Sequence, residues 1–275
     1  MATLHGATYG WITPALAYAL SFLGSLLGLA ATARARSESR AGRRARWLVL
    51  AAWAIGGTGI WVMHFMAMIG FSVDDSAIRF DLPITVASWL IAVLVVGVGL
   101  FVVGYGKPSV PKVLLGGLFA GLGVAAMHYT GMYAMHVAGK MYYDKTPVYL
   151  SIAIAVVAAT VALWFTLIVR KPAWIVAAAG VMGVAVTGMH YTGMAALSVR
   201  LAPAVQVAGI DSLTLLIPIL VFVLLVVIAL AYAVLATPSD QDVAAQNSFS
   251  ERMRKAPEPA VQAPPTSSFV PRVRR

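Results

Sequence analysis

Long apolar stretches alternate with short polar connections along the chain. Apolar runs cover residues 11–33, 47–71, 82–105, 112–138, 147–169, 173–199 and 213–236. Each exceeds the ~20 residues that a helix needs to cross the hydrocarbon of a bilayer. The pattern therefore predicts an all-α, polytopic membrane protein with seven transmembrane helices, occupying residues 9–236. After that point the pattern stops. Residues 237–275 hold Pro238, Pro257, Pro259, Pro264, Pro265 and Pro271 among Ala, Gln and Ser, and read as a disordered Pro-rich tail.

The charged positions orient the helices. Arg34, Arg36, Arg40, Arg43, Arg44 and Arg46 crowd the first connection, Lys107 and Lys112 the third, and Arg170 and Lys171 the fifth; the tail adds Arg252, Arg254, Lys255, Arg272, Arg274 and Arg275. The alternate connections carry only Arg79, Lys140, Lys145 and Arg200, together with Asp74, Asp75, Asp81, Asp144 and Asp211. By the positive-inside rule the N-terminus lies outside and the C-terminus in the cytoplasm. The start, Met1-Ala2-Thr3-Leu4-His5-Gly6, has no basic n-region, so the first run is expected to stay as an anchor.

Composition agrees: 60% of residues are hydrophobic and 11% charged, against about 25% charged in soluble domains. The net charge of +10 sits in connections and tail rather than in a basic soluble domain, which excludes a nucleic-acid-binding reading. Cysteine is absent, so a metal would have to be held by His, Met or oxygen ligands.

An internal repeat supplies candidate ligands. Met-His-Tyr-Thr-Gly-Met occurs at residues 127–132 and again at 189–194, and a looser Met-His-Phe-Met-Ala-Met at 63–68. His64, His128 and His190 stand 64 and 62 residues apart, each with Met at −1 and at +4. They lie 17, 16 and 17 residues into spans two, four and six, all of which run from inside to outside. At 1.5 Å per residue each histidine is roughly 25 Å up its helix, in the outer leaflet. Gly57, Gly121 and Gly183 stand seven residues before the histidines, and Ala67, Gly131 and Gly193 three after. Such small residues let membrane helices approach, so spans two, four and six are expected to pack together. The repeat unit is a helix pair, one–two, three–four and five–six, with span seven added.

Positions i and i+4 share a helix face. His64 with Met68, His128 with Met132 and His190 with Met194 each present one imidazole and one thioether, a donor set suited to copper and above all to Cu(I). Met63, Met127, Met189, Tyr129 and Tyr191 are candidates for a supporting shell around these ligands. One such His–Met pair is ordinary core packing; three at one depth point to a metal or cofactor. His5 reads as a solvated terminal residue and His136 as interfacial. No Asp or Glu lies inside a span, so hard cations lack ligands, and so does an acid–base enzyme. The last span has no lysine for a retinal Schiff base.

On the two full motif copies and the looser first one, the chain resembles the MHYT-domain family of bacterial integral membrane sensors. The resemblance implies a seven-helix sensor domain in the bacterial cytoplasmic membrane. It also implies copper held near the outer face by the matching residues His64, Met68, His128, Met132, His190 and Met194, and a role in sensing O₂, CO or NO. Many members carry a cytoplasmic cyclic-dinucleotide or kinase module; residues 237–275 are too short for one. A non-enzymatic sensor acting through an unknown cytoplasmic or membrane output protein is therefore the leading reading. The alternatives are a copper-handling protein and, behind it, a haem-binding electron carrier using His and Met as axial ligands.

Overall fold

Each apolar run forms a helix because a backbone in hydrocarbon must satisfy its own hydrogen bonds. The computed structural model describes residues 2–6, 8–202, 206–236, 246–251 and 254. Seven helices in it are long and apolar enough to cross a membrane. They are α1 (Ile12–Ser37), α2 (Ala41–Ile69), α3 (Leu82–Gly104), α4 (Val110–Tyr133), α5 (Lys145–Ile168), α6 (Pro172–Met194) and α7 (Ser212–Ala236). The chain packs as two units, Met1–Ala231 and Tyr232–Arg275. The tail reading for residues 237–275 falls almost wholly outside the described residues.

The second helix is the hub. Its most apolar stretch is 83% buried, against 22–44% for the other six. It packs on α1, α3, α4 and α6, while α1, α6, α5, α4 and α3 follow one another around it. The last helix closes on the hub through Phe222, which stacks on Trp53 and meets Trp89 edge-on, both at 5.7 Å. Central placement requires a slim helix, and Gly56, Gly57 and Gly59 supply one. A side chain at Gly56 would run into the Ala92 carbonyl, 2.7 Å away. One at Gly24 of α1 would strike the backbone of Gly59. Between Trp53 and Val62 the hub is π-helical, and only at Met63 does it return to α geometry. Such wide turns inside α-helices are frequent at functional sites, and this one ends directly beneath His64.

At the histidine-bearing end the connections form short strands. Leu4–His5 (β1) pairs with Ser72–Val73 (β2). Arg79–Phe80 (β3) pairs with both Met135–His136 (β4) and Ile210–Asp211 (β7), and Gly139–Tyr143 (β5) pairs with Leu197–Leu201 (β6), all antiparallel. Helices alone were expected, with α4 running to residue 138 and α6 to 199; they end at Tyr133 and Met194. The apolar runs continue, but as alternation: Leu197 and Val199 are buried and Arg200 exposed, which suits a strand.

This end also explains the acids. Asp81 accepts a hydrogen bond from the Ile84 amide (2.9 Å) at the start of α3, and Asp144 one from Thr146 (2.7 Å) at the start of α5. Asp211 accepts from the Leu213 and Thr214 amides at the start of α7. Three of the four helices that leave this end, α3, α5 and α7, therefore begin on an aspartate cap, a part of the repeat that a search for ligands passes over, while α1 begins at Trp11 without a side-chain cap.

Candidate metal centre

The repeated motif sits where α2, α4 and α6 approach one another. His64, His128 and His190 are each no more than 1% exposed. Their rings turn the same nitrogen inward. His64 Nδ1 lies 2.9 Å from His190 Nδ1 and 3.2 Å from His128 Nδ1. Ring centroids are 4.9–5.2 Å apart and the planes nearly perpendicular, at 78–87°. One such nitrogen from each residue lies within 4.8 Å of the others.

The glycine at +3 makes this convergence possible. A Cβ on Gly131 would collide with Nε2 of His64, and a Cβ on Gly193 with Nε2 of His128. Each ring thus rests on the bare backbone of the next motif copy. The glycine, read from sequence as a helix-packing residue, is a seat for an imidazole. One consequence is that Nε2 of both His64 and His128 is buried without a hydrogen-bond partner. Among the described residues, the side-chain hydrogen-bond partners of these rings are one another.

Three ring nitrogens facing one another at 2.9 and 3.2 Å need a proton or an ion between them to offset the repulsion of their lone pairs. As neutral rings protonated at Nε2, the three histidines would offer their Nδ1 lone pairs to one ion. Three nitrogens around a metal at about 2.0 Å would stand roughly 3.5 Å apart. The two observed spacings of 2.9 and 3.2 Å need an expansion of only about 0.3–0.6 Å, so the residues fit a metal ion. They do not fit a porphyrin between two of the rings, which touch.

The methionines at +4, Met68, Met132 and Met194, are buried one turn above their histidines. Helical side chains generally lean toward the N-terminus, the direction in which the histidines lie. The proposed supporting residues divide. Met63 packs with Ala17, Met66 and Ala67 in an apolar cluster that Tyr191 also touches. Met189 lines an apolar cavity below the histidines, and Met127 is buried. Tyr129 and Tyr191 meet the rings of His128 and His190 edge-on, at 4.9 and 5.0 Å. Their hydroxyls go elsewhere: that of Tyr129 bonds Ser151 on α5 at 2.7 Å, and that of Tyr191 is buried with no partner.

His5 lies beside Asp74, 3.2 Å away, and His136 donates to the Ala208 carbonyl from β4; neither joins the cluster. Two aromatic neighbours complete the site, one from the looser motif copy and one outside any motif. Phe65 stands edge-on to His64 at 4.9 Å, and Phe80 of β3 covers Phe65 at 5.7 Å.

Seven membrane-spanning helices with a buried histidine trio define a multi-pass membrane protein with an intramembrane cluster that could hold a metal ion. The chain belongs to the MHYT family, the bacterial signalling protein N-terminal repeat, which matches three times, over residues 57–116, 121–179 and 183–245. The matches begin at Gly57, Gly121 and Gly183, so the family repeat has the period read from the motif but starts in mid-helix. Among its relatives is a bifunctional diguanylate cyclase/cyclic di-GMP phosphodiesterase, MucR, of Pseudomonas aeruginosa, 40% identical over 197 residues; the match covers 69% of this chain and 28% of MucR. A cyclic di-GMP phosphodiesterase of the same organism, NbdA, is 34% identical over 222 residues, 77% of this chain and 28% of NbdA. A signalling protein of Caulobacter vibrioides is 32% identical over 177 residues, 63% of this chain and 22% of that protein. The chain thus spans less than a third of the length of these relatives. No solved structure matches it.

Proposed function

We propose that this membrane signalling protein holds one copper ion, at rest as Cu(I), on Nδ1 of His64, His128 and His190, with the thioethers of Met68, Met132 and Met194 above it. The observation that carries the reading is the meeting of three Nδ1 atoms from three helices at 2.9 and 3.2 Å. The choice of ion follows from charge. No carboxylate lies within the spans, and the cost of burying an ion rises with the square of its charge, so a monovalent ion is far cheaper here than a divalent one. Imidazole with thioether is also the soft set that copper prefers.

In this reading the N-terminus and the metal face the outside of the bacterial cytoplasmic membrane, supported by the crowding of Lys and Arg at the opposite helix ends. The ion supplies a coordination position for O₂, CO or NO. Its ligation favours one packing of α2 against α4 and α6 over another, which a cytoplasmic or membrane partner reads. The chain itself carries out no catalysis. The names of MucR and NbdA suggest an output partner that makes or degrades cyclic di-GMP.

The test is copper content and X-ray absorption of the detergent-purified protein after Cu(I) loading, beside the His64→Ala/His128→Ala/His190→Ala variant. The expected result is one copper per chain with nitrogen scatterers near 2.0 Å, lost in a variant that remains helical. A folded parent that retains no copper sinks the proposal.

A further inference from the structure

Directly beneath the histidines lies a partly open apolar cavity of about 50 Å³. Its position relative to the motif is regular. Ile60, Val124 and Val186 line it, and each stands four residues, one helical turn, before His64, His128 and His190. The cavity therefore shares the inward face of α2, α4 and α6 with the ring nitrogens. Its far wall is α5, where Ala155, Ala158, Ala159 and Ala162 leave the space that larger side chains would fill.

The lining decides what the cavity holds. Its one hydroxyl, that of Thr166, already donates to the Leu163 carbonyl at 2.6 Å. A buried water needs two to four polar partners and roughly 10–15 Å³ of such space, so this cavity is amply large for water but chemically wrong for it. Apolar cavities of this kind stay dry and take up small apolar guests such as xenon. A diatomic molecule fits the volume, and nothing in the walls would hold a polar or charged one.

There is also a way in. A groove between α5 and α6, bordered by Val157 and Val181, opens on the outer surface of the bundle. Its walls include Ala158 and Met182, which also line the inner cavity. In a membrane-spanning bundle that exposed apolar surface faces lipid. Met182, with three rotatable bonds and a flexible thioether, is the movable part of the partition.

We infer that this cavity is a docking chamber for a small apolar diatomic molecule, which enters from the bilayer between α5 and α6 past Met182 and meets the metal from below. The inference deepens the proposed function and rests on the histidines holding a metal that reacts with such molecules. No bond is made or broken in the chamber itself; it concentrates the guest next to the open coordination position.

The experiment uses the whole protein in lipid nanodiscs, metal-free and Cu(I)-loaded. Xenon binding is read by ¹²⁹Xe NMR, and CO rebinding to the metal after photolysis is read by infrared absorption. The wild type is expected to bind xenon in both forms. Ala155→Leu, which fills the chamber, should abolish xenon binding, leave copper content unchanged and slow CO rebinding about tenfold, equivalent to about 1.4 kcal/mol on the barrier to entry. Leu163→Ala, which enlarges the chamber, should strengthen xenon binding and keeps the test open should the filled variant not fold. Copper retained with no xenon bound by the wild type overturns the chamber and leaves the metal reading intact. Xenon bound with no copper retained overturns the metal reading and keeps the cavity. CO rebinding at the wild-type rate in a xenon-excluding Ala155→Leu protein overturns the chamber's role.

Discussion

At the scale of single residues, the site depends as much on what is missing as on what is present. Gly131 and Gly193 contribute no donor, yet an added methyl would occupy the space of the His64 and His128 rings. Gly131→Ala should therefore push His64 off the cluster. The expected outcome is a copper affinity lower by at least about tenfold, or about 1.4 kcal/mol, and a stability loss of about 1–3 kcal/mol from overpacking. Gly188→Ala is the control, because a Cβ there meets nothing within 4 Å; it should leave both unchanged. Competition with a Cu(I) chelator and thermal unfolding check the pair. The three histidines that meet were legible in the sequence, since three identical spacings are hard to obtain from packing alone. Which ring nitrogen turns inward was not, because it depends on which neighbouring backbone has room for the other one.

At the scale of elements, helix starts carry a cost that can be measured. Asp81→Ala and Asp144→Ala each remove a capping acceptor at the histidine end and should lower stability by about 1 kcal/mol, read from thermal unfolding in detergent. Asp211 gives the pH dependence. The hydroxyl of Thr214 donates to it at 2.6 Å and the Thr214 amide at 2.9 Å, which hold its carboxyl below the usual carboxylate range. A carboxyl depressed in the folded state adds stability above its unfolded value, about 3.9, and loses it as the pH falls through the folded one. Thr214→Val should lower stability at neutral pH and leave it unchanged at the acid end, so that the curve falls less steeply below about pH 4, as unfolding midpoints between pH 2 and 7 would show. The spans were legible because hydropathy is a local property. The strands β4 and β6 were hidden because their apolar residues continue the runs of α4 and α6, and only pairing with β3 and β5 turns them into ladders.

At the scale of the whole molecule, metal, helices and stability form one linked system. On the copper reading, Cu(I) at a hundred times its dissociation constant should stabilise the folded protein by about 2.7 kcal/mol. The triple histidine variant should show no such rise, and unfolding midpoints across a copper titration would decide the matter. The sequence by itself determined that seven segments cross a membrane and that three histidines share one depth. Hydropathy and a fixed rise per residue suffice for both. Only the tertiary structure decided that α2 is the hub, that three Nδ1 atoms come together, and that an apolar cavity lies beneath them. These features arise from which helix faces meet. That choice rests on the fit of glycines, alanines and rings between segments some sixty residues apart, and no local pattern encodes such a fit.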